Sequence, residues 1–424
     1  MRKVAIVGTG ISGLACAHRL HPQCELTLYE REDYVGGHTN TVTVREIDRE
    51  VPIDTGFMVY NEVTYPRLTA LFEELQVPTQ EADMSFGMNH LPARLTWCSH
   101  QLQGIFAQKR NVARPQFWLM IRDFYKFNRI INRLARLDAL PDQTLGEFLE
   151  QHCFSEPFAR LYLLPMCGAI WSTPQDHIRA FPLPSLARFL YNHGLLGRVT
   201  HHTWRTVTGG SRVYRERLIE PFRERIHTAL PAVEVQRRAS GAVVVDAKGE
   251  KQAFDSVIIA THADEALQLL ANPTRDEHQV LGAFAYNRSH VQLHTDARVM
   301  PGPRSAWAAW NYRVEAVGHD AVTASTHYWM NRLQGVSDRQ QYFVSLDAQH
   351  VVDPQTVLWE KEYTHPRFDL PAVKAQAHLP RLNETGPIYF AGAYFRYGFH
   401  EDGLMSGENV AQALNAMEKA SIVA

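Results

Sequence analysis

Three glycines and one carboxylate near the amino terminus have the residue types and spacing that bind a dinucleotide. The glycines lie in GTGISG, at Gly8, Gly10 and Gly13, and Glu30 follows roughly 20 residues after the first of them. Gly8 allows a tight turn, Gly10 lets the backbone approach a pyrophosphate, and Gly13 lets a helix pack closely on a strand. Glu30 is expected to accept hydrogen bonds from ribose hydroxyls.

The segments around these glycines predict the strand–helix–strand unit that such a site needs. The short apolar run Lys3–Val7 is typical of a buried parallel strand, and a helix extends from the glycines to about Leu20. Glu25–Glu30 is predicted as a second strand that ends at the acid. Ile11 and Ser12 begin the helix, where free N–H groups and the positive end of the helix dipole favour phosphate.

A second glycine pair follows in REDYVGGHTNTV, at Gly36 and Gly37, with His38 and Thr39 behind it. The pattern E-x(5)-GG-x-T resembles the FAD-binding signature of the flavin amine oxidase and phytoene desaturase superfamily. In that family the glycine pair lets the chain pass close to the pyrophosphate and flavin. VPIDTGFMVYN, which contains Thr55–Phe57, resembles the next motif of the family.

Three later segments also resemble this family. TVTGGSRVYRERL (206–218) is similar to its glycine-glycine turn before a helix, and FDSVIIATHADEAL (254–267) to a strand that ends at a nucleotide. GPIYFAGAYFRYGFHEDGLMSGENVAQAL (386–414) resembles the carboxyl-terminal FAD motif, whose helix, here starting near Glu401, is implied to point its positive end at the flavin C2 carbonyl. The residues that the fingerprint and the resemblance assign to FAD are Gly8, Gly10, Ile11, Ser12, Gly13, Glu30, Arg31, Gly36, Gly37, His38, Thr39, Thr55, Gly56, Phe57, Ala232, Ala260, Thr261, Gly392, Ala393, Phe399, His400, Glu401 and Gly403.

Two positions depart from the family pattern. His38 stands where an arginine is common, and Ala393 where an acid is common, which implies a weaker side-chain grip and not a loss of FAD. The carboxyl-terminal segment has no cysteine, so the FAD is expected to be non-covalent. GGHTNTV, IDTGF, ATHADEAL and GFHEDG resemble a bacterial group of NAD/FAD-binding proteins of the amine-oxidase type. Genes of that group often lie beside cyclopropane-fatty-acid synthase-like methyltransferases.

The resemblance implies an α/β fold: an FAD-binding, three-layer Rossmann-type domain interleaved with an α+β substrate domain. Residues 1–61, 204–267 and 386–424 are assigned to the FAD domain. The mostly helical residues 62–203 and the strand-containing residues 268–385 are assigned to the substrate domain. Because no linker or repeat separates these ranges, the second domain is expected to be inserted into the first.

The chemistry implied by an FAD beside a substrate pocket is hydride transfer to flavin N5. Amine oxidases of the family commonly hold a water near N5 with a lysine, but no lysine lies between Lys251 and Lys361. The strand NRSHVQLHTD instead alternates His290, Gln292 and His294 on one face. These residues either cover the surface of an edge strand or contribute to the site, with His294 as a candidate catalytic residue.

His400 is the second candidate catalytic residue, because it lies in the loop that reaches the flavin in relatives. It either acts as a hydrogen-bond donor or acid–base group or simply begins the helix. The nearby aromatic residues and three tryptophans belong either to the core or to the wall of an apolar pocket. They are Tyr394, Phe395, Tyr397, Phe399, Trp307, Trp310 and Trp329.

Residues 115–137 predict an amphipathic helix with a basic stripe. Arg122, Lys126, Arg129, Arg133 and Arg136 share one side, and the apolar residues, Trp118 among them, fill the other. The helix is either a cap with a solvated basic face or a peripheral contact with anionic lipid.

Composition narrows the classes of function. The net charge of −2 argues against a nucleic-acid partner, no apolar run is long enough to span a membrane, and no metal-ligand pattern stands out. Five cysteines without a C-x-x-C pair suit the cytoplasm. We expect an FAD-dependent dehydrogenase or desaturase that acts on an apolar, fatty-acyl or modified-lipid substrate. The alternatives are a flavin amine oxidase and a redox-neutral flavoprotein partner of a lipid methyltransferase. The oligomeric state and the electron acceptor are left open.

Overall fold

The computed structural model describes residues 1–99, 101–171, 175–196, 202–317 and 321–423. The remaining residues of the ranges assigned to the two domains lie outside this description. None of the described helices is long and apolar enough to cross a bilayer.

The strands of the described residues are, in chain order, β1 (Arg2–Val7), β2 (Cys24–Tyr29), β3 (Thr41–Arg45), β4 (Glu50–Asp54), β5 (Tyr60–Asn61), β6 (Thr79–Glu81), β7 (Phe86–His90), β8 (Leu95–Cys98), β9 (Trp204–Val207), β10 (Ile226–His227), β11 (Ala232–Arg238), β12 (Gly241–Asp246), β13 (Lys251–Phe254), β14 (Ser256–Ile259), β15 (Ala285–His294), β16 (Trp310–Val317), β17 (Ala321–Trp329), β18 (Phe343–Leu346), β19 (Val357–Arg367) and β20 (Ile388–Phe390).

The helices are α1 (Ile11–Leu20), α2 (Pro66–Glu74), α3 (Gln101–Ile105), α4 (Pro115–Arg136), α5 (Leu145–Gln151), α6 (Glu156–Phe158), α7 (Leu164–Trp171), α8 (Gln175–Arg179), α9 (Leu183–Asn192), α10 (Arg212–Ile219), α11 (Ala263–Leu269), α12 (Arg275–Leu281), α13 (Met330–Leu333), α14 (Leu370–Gln376), α15 (Leu379–Leu382) and α16 (His400–Val423).

A five-stranded parallel sheet in the order β10-β2-β1-β14-β20 joins chain segments from both ends and the middle of the sequence. Val7 is in register with Tyr29 on one side and Ile259 on the other, and Ile259 is in register with Phe390. The residues that follow these strands therefore meet at one edge of the sheet, which is where open α/β sheets bind ligands.

Both faces of this sheet are covered, which explains the continuous apolar character of its strands. Val4 and Ile6 of β1 pack into a core with α1, α10 and α16, whereas Ala5 and Val7 pack into a second core with α11 and the antiparallel sheet β11-β12-β13. The expected α/β fold with a three-layer arrangement is confirmed.

A seven-stranded sheet in the order β19-β15-β18-β17-β16-β7-β8 forms the second large unit. Its strands come from residues 86–98 and 285–367, and α4 to α9 lie between β8 and β9 in the sequence. Of the two alternatives for His290, Gln292 and His294, the edge strand is excluded, because β15 pairs with β19 on one side and β18 on the other.

Helix α4 forms over the predicted residues, and its apolar side packs into the core of the helical region through Phe127 and Ile131. The placement of Trp118 on the apolar side is wrong, since 46% of this residue is exposed on the solvent side of the helix.

Candidate cofactor site and active site

One cavity of about 840 Å³ extends from the carboxyl edge of the five-stranded sheet to the seven-stranded sheet. Most of the residues assigned to FAD line it, although they are far apart in the sequence. They are Gly8, Gly10, Ile11, Ser12, Glu30, Arg31, Gly36, Gly37, His38, Thr55, Gly56, Phe57, Ala232, Ala260, Thr261, Gly392, Ala393, Phe399 and His400.

The three glycines of the first loop have three different structural roles. Gly8 has a φ of +96°, and a Cβ there would lie 2.8 Å from the carbonyl oxygen of Ala260. A Cβ on Gly13 would lie 2.0 Å from the carbonyl oxygen of Gly8, so this glycine allows α1 to pack against the loop. A Cβ on Gly10 would meet no atom within 4 Å, which means that Gly10 borders open space in the cavity.

Glu30 is fixed at the nucleotide end by the loop that it faces. Its Oε2 accepts hydrogen bonds from the backbone N–H of Thr9, at 2.9 Å, and from the Thr9 hydroxyl, and its Oε1 accepts from the backbone N–H of Glu32, at 2.9 Å. A carboxylate has about four acceptor positions, so it retains capacity for a ribose hydroxyl. Arg31 lies beside it and pairs with Glu265 at 2.9 Å.

The second glycine pair crosses the first glycine loop. A Cβ on Gly37 would lie 3.3 Å from the Cα of Gly10, and a Cβ on Gly36, where φ is +123°, would lie 2.7 Å from the carbonyl oxygen of Thr39. A larger residue at position 37 would press on the first loop, and one at position 36 would clash within its own turn. This close approach places His38 beside the phosphate-binding loop predicted from the sequence.

His38 and His365 bring two unsatisfied imidazole nitrogens to the cavity. The His38 ring stacks on Tyr363, with centroids 4.8 Å apart, and lies 5.1 Å from the ring of His365. His38 Nε2 and His365 Nδ1 are buried without a hydrogen-bond partner among the described residues. Burial lowers the pKa of His38 well below its usual range, with His365 acting in the same direction, and lowers the pKa of His365 to about 4. Both rings are therefore neutral at pH 7 and leave polar atoms that a ligand would satisfy.

The carboxyl-terminal motif places His400 against Phe57, which belongs to the motif VPIDTGFMVYN and also lines the cavity. The two rings stack with centroids 3.9 Å apart and planes 12° apart. His400 Nε2 lies 2.6 Å from the Tyr214 hydroxyl and 3.2 Å from Thr39 Oγ1. Burial lowers the pKa of His400 to about 3, so its imidazole is neutral at pH 7.

Four residues assigned to FAD support the cavity without lining it. Gly13 packs on Gly8, and a Cβ on Gly403 would lie 2.7 Å from a methyl carbon of Ile11. Thr39 bonds to His400, and Glu401 accepts the backbone N–H groups of residues 67 and 68 at the start of α2, both at 3.0 Å. The structure thus gives Glu401 a capping contact on α2 where a direct contact with FAD was expected.

His294 lies on the face of the seven-stranded sheet that points away from the cavity. Val291 lies three residues before His294 on β15, and so on the opposite face of the strand. Val291 lines the cavity, whereas His294 is fully buried on the other side. There the Ser345 hydroxyl lies 2.7 Å from both His294 Nε2 and His327 Nδ1. His294 therefore belongs to a buried polar network of the sheet, and we do not retain it as a candidate catalytic residue.

The part of the cavity that faces the seven-stranded sheet is apolar and rich in aromatic side chains. Trp310 lines it, but Trp307 and Trp329 pack on each other at 5.2 Å outside it. Most of the remaining lining residues come from separate elements without a shared motif, so the sequence did not reveal them. They are Met84, Phe86, Met166, Ile170, Trp171, Phe189, Leu195, Trp204, Val291, Tyr328, Leu346 and Phe368.

Several functional positions were missed although the sequence carries a signal for some of them. Thr9 lies inside the glycine loop and binds Glu30. Lys361, Tyr363 and His365 share one face of β19 and line the cavity, together with the intervening Glu362 and Thr364. Lys361 pairs with Glu32 at 2.6 Å, and therefore serves the nucleotide end.

These residues fit an FAD. The open space beside Gly10, the unsatisfied nitrogens of His38 and His365, and the free acceptor capacity of Glu30 lie along one cavity. Among the described residues no cysteine lines that cavity.

The sequence profile described as "Flavin containing amine oxidoreductase" matches residues 11–303, which is more than half of the chain. No curated protein matches the chain in sequence. Among solved structures, cyclohexylamine oxidase from Brevibacterium oxydans is similar, with a TM-score of 0.70, 17% identity and 99% of each chain covered. Putrescine oxidase bound to putrescine has a TM-score of 0.67 and 17% identity, over 98% of this chain and 99% of that one. A conjugated-linoleic-acid-producing fatty acid isomerase from P. acnes has a TM-score of 0.65 and 13% identity, over 97% and 98% of the two chains.

Proposed function

The chain belongs to the family of flavin-containing amine oxidoreductases and is an FAD-dependent oxidoreductase, and from this premise we propose that it is a dehydrogenase or desaturase of an apolar, fatty-acyl or modified-lipid substrate. The observation that carries the proposal is the apolar wall of the cavity opposite the cofactor residues. A long hydrocarbon chain gains free energy by leaving water for such a wall.

The charges that line the cavity support an uncharged substrate. Among the described residues, the acidic ones in its wall are Glu30, Glu32, Glu265 and Glu362. The first three belong to the nucleotide end, and Glu362 is half-exposed and pairs with an arginine at 3.3 Å. A cationic amine therefore finds no carboxylate partner in the aromatic part of the cavity.

Trp310 adds one polar atom to the apolar wall. Its side chain lines the cavity, and its indole Nε1 is buried without a hydrogen-bond partner among the described residues. An indole N–H only donates, so it suits a single acceptor such as an ester or carboxyl oxygen. A long apolar chain with one such oxygen would match an apolar wall that has a single N–H donor.

When bound, FAD supplies the acceptor of a hydride and so oxidises a C–H bond of the substrate. The aromatic wall orients the chain and excludes water from the reacting bond. In a desaturation the second hydrogen leaves as a proton to a base or to water. We assign His400 a hydrogen-bonding contact to the cofactor and not the role of that base, because a pKa of about 3 makes it a poor proton acceptor at pH 7.

The second candidate function is amine oxidation. Two of the similar structures are named as amine oxidases, and the cavity wall is rich in aromatic side chains, a residue type that holds cations by cation–π attraction. The fatty acid isomerase of the same fold is named for a fatty acid, so the fold accommodates either class.

Anaerobic titration of the FAD-loaded protein separates these candidates. Phospholipids with unsaturated or methyl-branched acyl chains are expected to bleach the flavin absorbance and to yield a product two hydrogens lighter by mass spectrometry. Bleaching by amines alone would overturn the proposal in favour of amine oxidation. Conversion of a lipid without net bleaching and without a mass change would favour the redox-neutral alternative.

A pair of tryptophan variants tests the role of the wall. Trp310→Phe keeps an aromatic wall but loses the N–H donor, so the lipid should bind roughly 5- to 10-fold more weakly. Trp307→Phe is the matched control, because Trp307 lies outside the cavity and its indole N–H binds the carbonyl oxygen of Pro301. Equal losses of lipid affinity in the two variants would remove Trp310 from the proposed site.

A further inference from the structure

We propose that the solvent-facing side of α4 docks on the surface of an anionic lipid bilayer. This surface, called the α4 face below, consists of Trp118, Arg122, Tyr125, Arg129, Arg133 and Arg136. The α4 face lies outside the cavity, and its binding to lipid vesicles is measured without turnover. This proposal therefore does not depend on the proposed reaction.

The α4 face combines exposed aromatic side chains with arginines along one line of the helix. Its members are three or four residues apart, which places them on the same side of an α-helix. Trp118 is 46% exposed and Tyr125 is 63% exposed. Large aromatic residues are normally buried in a soluble cap helix, and their alternation with arginine is typical of helices that lie in a membrane interface.

The apolar part of this surface extends beyond the helix. Val112 is 53% exposed, and its carbonyl oxygen accepts a hydrogen bond from Trp118 Nε1 at 2.8 Å. Leu102 is 69% exposed in α3, and the ring of Phe106, just after α3, lies 6.2 Å from that of Trp118. The amino-terminal end of α4 therefore carries a cluster of apolar side chains that water covers in the isolated protein.

The positive charge of the α4 face is largely unneutralised. Arg122 bonds to the buried Asp123 at 2.8 Å, but Arg129, Arg133 and Arg136 form no ion pair with any described residue. Asp138, the acid after the helix, is bound to Arg188. Because the whole chain has a net charge of −2, this basic line is a local feature, complementary to anionic headgroups.

The aromatic side chains decide between a bilayer and other polyanions. Nucleic acid would account for the arginines alone, whereas an interface with a hydrocarbon layer also stabilises exposed Trp, Tyr, Val and Leu side chains. The amphipathic rings of Trp118 and Tyr125 are suited to the headgroup level, with the arginines at the phosphates.

Docking through the α4 face would bring the apolar part of the cavity close to the bilayer. The buried side of α4 packs through Phe127 and Ile131 into the core that contains Trp171 and Phe189, both of which line the cavity. Near the other end of the helix, the Asn132 side chain donates a hydrogen bond to the carbonyl oxygen of Leu196 at 2.8 Å. The preceding residue, Leu195, lines the cavity.

Co-sedimentation of the FAD-loaded full chain with lipid vesicles tests the proposal. Vesicles of phosphatidylglycerol and phosphatidylcholine are expected to bind the protein at low salt, with binding weakened by added salt and by pure phosphatidylcholine. R129Q/R133Q/R136Q should lower the partition coefficient roughly 100-fold, as expected for three arginines at an anionic surface. W118S/Y125S should lower it roughly 10-fold at unchanged charge.

A charge-matched control separates the α4 face from net charge. R238Q/K248Q/R275Q removes three exposed cations elsewhere and should leave vesicle binding unchanged. No binding by the unaltered protein, or equal losses in the two triple variants, would overturn the proposal. Binding to single- or double-stranded DNA that competes with vesicles and does not depend on Trp118 and Tyr125 would also overturn it, in favour of a polyanion surface.

Discussion

The Tyr214 hydroxyl lies 2.6 Å from His400 Nε2, although 186 positions separate the two residues in the chain. The same hydroxyl bonds to Thr39, whose Oγ1 is 3.2 Å from His400 Nε2. Three motifs that the sequence presents as separate thus share one buried hydrogen-bonded cluster. This cluster holds the His400 ring against Phe57 at the cavity.

Replacing Tyr214 by Phe should destabilise the protein and loosen His400. The variant removes a hydroxyl that bonds to two buried groups, so the free energy of unfolding should fall by about 1–3 kcal/mol. Chemical denaturation measures this change, and a shifted flavin absorbance spectrum would report the altered contact of His400. Tyr394→Phe is the control, since the Tyr394 hydroxyl is buried without a hydrogen-bond partner among the described residues. Equal destabilisation of both variants would contradict the role given to Tyr214.

Two glycines of the same loop should respond differently to substitution. Gly10→Val should leave the cofactor-free protein folded but reduce FAD affinity at least 100-fold, because the new side chain enters the open space of the cavity. Gly13→Ala should destabilise the fold itself, because its Cβ would lie 2.0 Å from the Gly8 carbonyl oxygen. Thermal unfolding and titration with FAD distinguish the two effects. A Gly10→Val protein that retains full FAD affinity would exclude a pyrophosphate beside Gly10.

His38→Phe should weaken FAD binding without destabilising the cofactor-free protein. The phenyl ring retains the stacking on Tyr363 and removes a buried nitrogen that has no partner. The free energy of unfolding of the cofactor-free form should therefore stay within about 1 kcal/mol of the original or rise. Fluorescence titration with FAD should show an affinity loss of roughly 10-fold, the value of one hydrogen bond from a buried group. Unchanged affinity would show that His38 Nε2 does not contact the cofactor.

Acidification should destabilise the cofactor-free protein between about pH 6.5 and pH 4. Burial lowers the pKa values of His193, His294 and His365 to about 4 and that of His400 to about 3, so these rings are neutral when folded and take up protons on unfolding. The stabilisation is complete above the unfolded pKa near 6.5 and is lost as the pH falls, by up to about 1.4 kcal/mol per pH unit for each ring.

Buried carboxyls act in the opposite direction. Asp402 is one of four such carboxyls among the described residues: burial raises its pKa to about 7 and also raises the pKa values of Asp54, Asp347 and Glu401. Their contribution is lost as the pH rises from the unfolded values toward the folded ones. Since nine described histidines with lowered pKa values oppose four carboxyls with raised ones, the urea midpoint should be lower at pH 5 than at pH 7. His365→Asn should flatten this dependence. A midpoint that rises on acidification would contradict the neutral state of these rings.

The sequence was most informative where function depends on the backbone over short distances. Gly8 allows a tight turn, Gly10 lets the backbone approach a pyrophosphate, and Gly13 lets the helix pack on the strand. All three roles arise within one strand–helix unit, so the spacing of the glycines sufficed to predict the site. The resemblance to the flavin family then extended the assignment to His38, Phe57 and His400, and the cavity contains all three.

The sequence was least informative where side chains choose between two faces. The alternation of His290, Gln292 and His294 correctly indicates a strand face, but the period of two does not say which face meets the cavity. That choice depends on the packing of the seven-stranded sheet over the flavin-binding unit. For the same reason Glu401 caps α2, which lies more than 300 residues earlier in the chain.

The amino-acid sequence by itself determined that this chain has a dinucleotide site on a Rossmann-type unit, because glycine conformation and the position of Glu30 are local properties. The resemblance of its other motifs to the flavin family then indicated FAD. Only the tertiary structure decided which apolar and aromatic residues face the substrate, which imidazole nitrogens remain unsatisfied, and that Trp118 is exposed beside the arginines of α4. These features arise from contacts between elements that are distant in the chain, and such contacts leave no regular spacing in the sequence.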